Sequence, residues 1–142
     1  MTATAFDPYA LIAQSRLGVL ATIKADGRPQ LSPVLFHFDR EANVILVSTQ
    51  EGRAKTANLR RDPRVSLEVT APDGRPWATA EGTASLTGPG LDPNGPEVEA
   101  LVDYYRRAGG EHPDWAKYRE AMVSDRRVLL TITVDHVYGP RI

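Results

Sequence analysis

The segment STQEGRAKTANL, at residues 48–59, has the residue types of a phosphate-binding corner. It passes from the end of a predicted strand through Gly52 into a predicted helix, and the first backbone N–H groups of a helix attract anions. Arg53 can bind phosphate oxygens through two parallel N–H donors and Lys55 through a compact charge, while the hydroxyls of Thr49 and Thr56 can add hydrogen bonds. The segment therefore predicts a phosphate site.

The same residues allow a second interpretation. The segment matches neither GxxxxGK[ST] nor GxGxxG, and an exposed helix surface with ordinary arginines and lysines explains it equally well. A clustering of positive charge favours the site. The cations lie close together in a chain whose net charge is −1, and they are Arg53, Lys55, Arg60, Arg61 and Arg64.

A second candidate is the apolar strand QLSPVLFHF at residues 30–38, which contains Pro33. Proline removes a hydrogen-bond donor from a strand, so Pro33 predicts either an edge strand or a bulge. A bulge leaves nearby backbone N–H and C=O groups free, and a flavin-type ring edge needs such groups for its hydrogen bonds. An edge strand without a ligand is the alternative. Trp77, which begins a strand after a turn, fits either core packing or stacking on the same ring.

These patterns identify no catalytic side chain. The histidines His37, His112 and His136 lack the spacing of metal ligands, so no metal site is predicted. The chain has no cysteine and no Gly-x-Ser-x-Gly sequence, which excludes thiolate chemistry and gives no sign of a serine nucleophile. Solvent, Ser32 and His37 remain as candidate proton donors.

Alternating apolar residues predict strands at about 17–24, 30–38, 44–48, 65–69, 77–86 and 128–134. Helical spacing predicts helices at about 53–61, 98–105 and 115–122. A near-continuous succession of antiparallel strands is typical of a barrel, because closure removes exposed edges. We expect a mainly β fold in a single domain over residues 1–142, with helices flanking an antiparallel barrel of about six strands.

Composition and charge exclude several classes of partner. Apolar residues make up 42% of the 142-residue chain, which is typical of a soluble globular protein. The net charge of −1 argues against bulk binding of nucleic acid. No apolar run approaches the roughly 20 residues needed to cross a bilayer, and the first residues do not form a secretory signal. We expect a cytoplasmic protein without nucleic-acid or membrane partners.

Three ordered motifs and a tail carry a family resemblance: ATIKADGRPQLSPVLFHFD, RAKTANLRRDPRVSL, WATAEGTASL and GEHPDWAKYREAMVSDRRVLLTITVDHVYG. Together they resemble the pyridoxamine 5′-phosphate oxidase-like split-barrel superfamily. They are more closely similar to its actinobacterial flavin/deazaflavin oxidoreductases, which use coenzyme F420 and include biliverdin-reducing enzymes. The resemblance covers nearly the whole chain, from Leu17 to Gly139.

This resemblance implies a six-stranded split β-barrel that forms a homodimer, with cofactor sites in grooves between the subunits. It places the cofactor phosphate at the corner that begins the helix at Arg53, and the tricyclic ring along the strand that contains Pro33. The strand that begins at Trp77 closes the pocket. The implied cofactor-binding residues are Gln30, Ser32, Pro33, Val34, Leu35, Phe36, His37, Gly52, Arg53, Ala54, Lys55, Thr56, Asn58, Trp77 and Ala78, and Thr49 joins them from the corner described above.

The resemblance also implies a function. We expect an oxidoreductase that uses reduced coenzyme F420 to transfer hydride to a conjugated organic acceptor, such as a tetrapyrrole like biliverdin. The arginines at 60, 61 and 64 favour this deazaflavin over FMN, because its acidic lactyl-oligoglutamate tail could use the extra positive charge. The alternatives are an FMN-dependent reductase or oxidase of the same fold, and a non-catalytic protein that binds a cofactor or tetrapyrrole.

Overall fold

The computed structural model describes residues 6–140. In chain order its elements are α1 (Pro8–Gln14), β1 (Leu17–Ile23), β2 (Pro29–Leu35), β3 (His37–Asp39), β4 (Val44–Gln50), α2 (Ala54–Arg61), β5 (Arg64–Thr70), β6 (Trp77–Thr87), α3 (Pro96–Gly109), α4 (Trp115–Ser124) and β7 (Arg127–Tyr138). Within this range, no helix is long and apolar enough to cross a membrane.

Helix α1 is an element that the sequence patterns did not predict. Its seven residues are too few to show a helical repeat, and local chemistry starts it. The Asp7 carboxylate accepts the backbone N–H of Tyr9 at 3.0 Å, and Pro8 occupies the first turn, where its missing N–H costs nothing.

The strands form one antiparallel sheet in the order β2-β1-β5-β6-β7-β4-β3. Strands β2 and β3 lie at its two opposite edges, yet only Phe36 separates them in the chain. The sheet must therefore curl until its edges meet around this residue, which gives the half-barrel of a split-barrel fold. The predicted mainly β architecture with flanking helices is confirmed.

The strand count is seven rather than the expected six, because the predicted strand at residues 30–38 is broken. The N–H of Phe36 still donates to the carbonyl of Arg16 at 2.8 Å, and His37 then pairs with Leu46 on the other side of the barrel. Pro33 lies on the edge strand β2, which is one of the two positions that the sequence predicted for it. The register of β2 with β1 is continuous from Leu17–Leu35 to Ile23–Pro29, so Pro33 does not form a bulge there.

Two hydrophobic cores hold these layers together. The first fills the barrel, and alternate residues of β4, Ile45 and Val47, point into it. Leu46 points outward into the second core, which α3 and α4 complete against the outer face of β4 and β7. The period-two alternation of β4 thus fixes both the barrel interior and the position of the helical pair.

A glycine allows β6 and β7 to approach each other at an irregularity in the ladder. The register shifts between Glu81 and Gly82, and a Cβ atom at Gly82 would lie 2.2 Å from the carbonyl oxygen of Thr133. No side chain fits there without moving backbone.

Gly82→Ala is therefore expected to lower the free energy of unfolding by about 2–3 kcal/mol, since the added methyl group must push two strands apart. Urea unfolding followed by circular dichroism measures the change. The matched control is Gly109→Ala, where the added Cβ meets only Tyr105 at an ordinary 3.7 Å. Equal stability of the two variants would contradict the close-approach argument.

Candidate functional site

A groove of about 490 Å³ opens beside the edge strand β2. It lies between β2, the corner joining β4 to α2, the first residue of β7, and the helical pair α3 and α4. The lining residues are Pro33, Val34, Leu35, Ser48, Thr49, Gln50, Arg53, Lys55, Tyr104, Tyr105, Tyr118, Met122 and Arg127.

The corner between β4 and α2 is held closed by its own threonines. Gly52 adopts a φ of +88°, a left-handed conformation that side chains other than glycine rarely accept. The hydroxyl of Thr56 donates to the carbonyl of Gln50 at 2.9 Å, and the Thr49 and Thr56 hydroxyl oxygens lie 3.2 Å apart. Both threonines are buried. The predicted hydroxyl of Thr56 therefore shapes the corner, while Thr49 also reaches the groove wall.

Helix α2 begins at the groove without a side-chain cap. Arg53 is its N-cap residue, and no side chain there accepts a hydrogen bond from the first turn. The Arg53 guanidinium instead bonds the Gln50 amide oxygen, from Nε at 3.1 Å and from Nη2 at 2.9 Å. The first amide groups of the helix and a fixed guanidinium thus meet at one end of the groove, which is the arrangement that binds anions.

A third cation, Arg127, completes this end of the groove. Burial lowers the pKa of Lys55, and the neighbouring charges of Arg53 and Arg127 lower it further. The Nε of Arg127 is buried and has no hydrogen-bond partner among the described residues. Three mutually repelling cations with an unused donor favour a bound anion, because an anion offsets the repulsion and accepts the free N–H.

Another wall of the groove is aromatic. Tyr104 and Tyr105 come from α3, and Tyr118 and Met122 from α4. Burial raises the pKa of Tyr118 to about 12, and its hydroxyl donates to the carbonyl of Leu101 at 3.0 Å, which ties the two helices together. Burial also raises the pKa of Tyr104, against the opposing charge of Arg127. Tyr104 and Tyr118 therefore stay neutral at ordinary pH, and the aromatic rings of this wall present flat, largely apolar surfaces.

Six of the predicted residues line the groove: Pro33, Val34, Leu35, Thr49, Arg53 and Lys55. Two more lie in smaller pockets that continue along the same strand. Phe36 lines a pocket of about 220 Å³ and, with His37, another of about 240 Å³. The proline-containing strand and the helix-start corner, far apart in sequence, are therefore brought together in the fold.

Two predicted residues, Gln30 and Asn58, meet behind the groove. The buried Thr22 hydroxyl donates to the Gln30 side chain at 3.0 Å and accepts from the Asn58 amide at 3.1 Å. Arg61 extends the network to the Asn58 oxygen at 3.2 Å and to the Ile23 carbonyl at 2.6 Å. This chain of bonds joins β2, β1 and α2, so Gln30 and Asn58 position the helix that carries Lys55.

The remaining predicted residues do not line the groove: Ser32, Gly52, Ala54, Thr56, Trp77 and Ala78. Ser32 has a buried hydroxyl without a partner among residues 6–140. Ala78 is fully buried in the barrel core. Trp77 packs edge-on against Tyr138, with ring centroids 5.9 Å apart. The part of these residues in cofactor binding stays a prediction.

The argument from surplus arginines is weaker in the structure than in the sequence. Arg60 pairs with Glu51 and Arg64 with Asp62, whereas Arg61 bonds only neutral oxygens of Ile23 and Asn58 and keeps its charge. Two of the three charges are thus already paired with carboxylates.

Sequence reasoning missed the residues that the fold brings to the groove from α3, α4 and β7. These are Tyr104, Tyr105, Tyr118, Met122 and Arg127. Ser48 and Gln50 also line the groove, from within the predicted segment 48–59, but no role was predicted for them. Tyr105 and Tyr118 contributed only to the helical spacing of α3 and α4, and Arg127 carried no signal beyond preceding a strand.

Comparison with known proteins agrees with this architecture. The sequence profile of the pyridoxamine 5′-phosphate oxidase family matches residues 9–139. The chain belongs to this family. The F420H(2)-dependent biliverdin reductase of Mycobacterium tuberculosis is 26% identical over 133 residues, which cover 94% of this chain and 85% of that protein.

Solved structures of family-like proteins share the fold. The crystal structure of a conserved hypothetical protein from Mycobacterium tuberculosis is 28% identical, with a TM-score of 0.69 over 93% of this chain and 81% of that one. A structure described as an F420 reductase also has a TM-score of 0.69, at 22% identity, over 95% of this chain and 98% of the other. At that identity, the second likeness concerns the fold alone.

Arg127→Met tests whether the basic end of the groove is an anion site. The ligand-free variant is expected to be at least as stable as the unchanged chain, by up to about 1 kcal/mol, because it loses an unpartnered buried donor and a charge that repels Lys55. Stabilisation by inorganic phosphate is expected to fall sharply. Urea unfolding with and without phosphate measures both effects.

The control for this experiment is Arg28→Met, which removes an exposed arginine at the turn between β1 and β2. It should keep the full response to phosphate. An unchanged phosphate response in Arg127→Met would show that Arg127 does not contact the anion.

Proposed function

We propose that the protein is an oxidoreductase that uses reduced coenzyme F420 to transfer hydride to a conjugated organic acceptor. The observation that carries the proposal is the meeting of Arg53, Lys55 and Arg127 at one end of a groove whose other wall is made of tyrosines. A cofactor with a phosphate on one side and a flat ring system on the other has the matching chemistry.

The chain's own residues have distinct parts in this proposal. The three cations and the first amides of α2 would hold the cofactor phosphate, and the edge of β2 at Pro33 and Leu35 would lie along the ring. When bound, the reduced deazaflavin supplies the hydride and is oxidised, while the acceptor gains two electrons with it and takes one further proton from solvent. The protein contributes orientation and exclusion of water by the tyrosine wall.

The preference for a deazaflavin over FMN is supported by the relative from Mycobacterium tuberculosis, whose name specifies F420H(2) and biliverdin. The same relative makes a tetrapyrrole a reasonable acceptor to test. FMN remains the alternative cofactor, because the phosphate end and the aromatic wall suit both ring systems and the family description names pyridoxamine 5′-phosphate oxidase.

Titration of the purified protein with coenzyme F420 and with FMN, followed by calorimetry, tests the cofactor. F420 is expected to bind more tightly, and Lys55→Met is expected to weaken binding of both by roughly tenfold or more, since each loses a charge-assisted contact to phosphate. Tighter binding of FMN would replace the deazaflavin in the proposal. Binding of F420 without turnover of enones, quinones or biliverdin would favour a cofactor carrier.

We also propose that the protein is a homodimer whose subunits meet over the outer face of β1 and β2. Opposite residues in the ladder, Leu17 with Leu35 and Ala21 with Leu31, put apolar side chains on one surface. Leu17, Leu31 and Leu35 are each more than 60% exposed. Leu35 also lines the groove, so a second chain seated on this face would border the cofactor site.

A double change, Leu17→Asp with Leu31→Asp, is expected to convert a dimer into a monomer, because it buries charge at the centre of the proposed interface. Sedimentation velocity measures the state, and calorimetry the accompanying loss of F420 affinity. Leu91→Asp is the control, since Leu91 is 93% exposed on the loop before α3. An unchanged chain that is monomeric and still binds cofactor tightly would contradict the shared site.

A further inference from the structure

A smaller pocket adjoins the groove and shares one wall with it. The pocket, about 220 Å³ in volume, lies between the end of β2 and the last turns of α3. Leu35, Tyr104 and Tyr105 line both spaces, so the groove and the pocket adjoin at these three side chains. The remaining walls of the pocket come from Arg16, Phe36, Ala108 and Gly109.

We propose that this pocket receives the carboxylate-bearing end of the acceptor, and that Arg16 binds that carboxylate. The inference rests on the proposed function, since it assumes that the larger groove holds the ring. Hydride transfer requires the acceptor to touch the ring, so its conjugated part would extend from the pocket past the three shared side chains into the groove. A flat conjugated acid fits the lining, because aromatic and small apolar side chains would cover its body.

Arg16 is fixed in place with donors to spare. Its Nη1 donates to the carbonyl of Ala108 at 2.8 Å, which anchors the guanidinium at the pocket's rim. A guanidinium has five N–H donors, and within residues 6–140 no carboxylate lies within ion-pair distance of Arg16. Arg107, which directly precedes Ala108 on α3, differs because Asp39 and Asp103 already neutralise it.

The anionic tail of the cofactor is the other carboxylate that could reach Arg16. The tail continues from the phosphate, so it leaves the ring on the side of Arg53, Lys55 and Arg127. Arg16 lines the smaller pocket and not the groove, so it lies beyond the three shared side chains from those cations. Arg16 is therefore assigned to the acceptor. The affinity of an Arg16 variant for coenzyme F420 distinguishes a carboxylate of the acceptor from one of the cofactor tail.

The probes are trans-cinnamate and its neutral amide, cinnamamide, with binding measured by ligand-observed NMR on the protein without cofactor. Arg16→Ala is expected to weaken cinnamate binding about three- to fivefold, the range of an exposed ion pair, and to leave cinnamamide unaffected. Arg16→Lys should restore part of the difference. Affinity for coenzyme F420, measured separately, should not change.

Pocket shape is tested on the same helix. Ala108→Leu keeps the backbone carbonyl that holds Arg16 but fills the pocket, so both probes should lose affinity. Arg28→Met, at the exposed turn between β1 and β2 and outside both spaces, should affect neither. Absence of cinnamate binding, or equal loss of both probes in Arg16→Ala, would overturn the proposal. Loss of F420 affinity in Arg16→Ala would assign the arginine to the cofactor tail, whereas failure of F420 to bind the unchanged chain would refute the proposed function instead.

Discussion

One stretch of chain, from Pro29 to Asp39, must supply both edges of the curled sheet. Strand β2 pairs with β1, β3 pairs with β4, and Phe36 between them keeps a hydrogen bond to Arg16 across the break. Strands β2 and β3 can each keep their own partner only if the barrel is open between them, at Phe36. The groove and the two smaller pockets lie along that opening. A ligand can therefore enter where the sheet does not close.

Electrostatics shapes the groove in a second way. Two arginines near α2 are paired with carboxylates, Arg60 with Glu51 and Arg64 with Asp62. Among residues 6–140 no carboxylate pairs with the three cations at the groove, and burial together with their repulsion lowers the pKa of Lys55. Binding of an anion would offset this repulsion, and groups with perturbed pKa values are often found at functional sites.

The sequence predicted those parts of the site that depend on neighbouring residues in the chain. The corner at Gly52, the helix start at Arg53 and the edge position of Pro33 each follow from a few consecutive residues. Arg127 and the tyrosines could not be predicted, because they reach the groove only after β7 pairs with β4 and the helical pair packs outside it. The break at Phe36 was hidden for the same reason, since an uninterrupted apolar alternation does not reveal that its two halves have different partners.

The threonine pair at the corner sets a direction for its protons. Each hydroxyl has one hydrogen, and that of Thr56 is given to the carbonyl of Gln50. In the 3.2 Å contact between the two hydroxyls, Thr49 must then be the donor. Thr49 therefore has only lone pairs to offer the groove. It is suited to accept a hydrogen bond from an O–H or an N–H and unsuited to hold an anion, which would be left to its cationic neighbours.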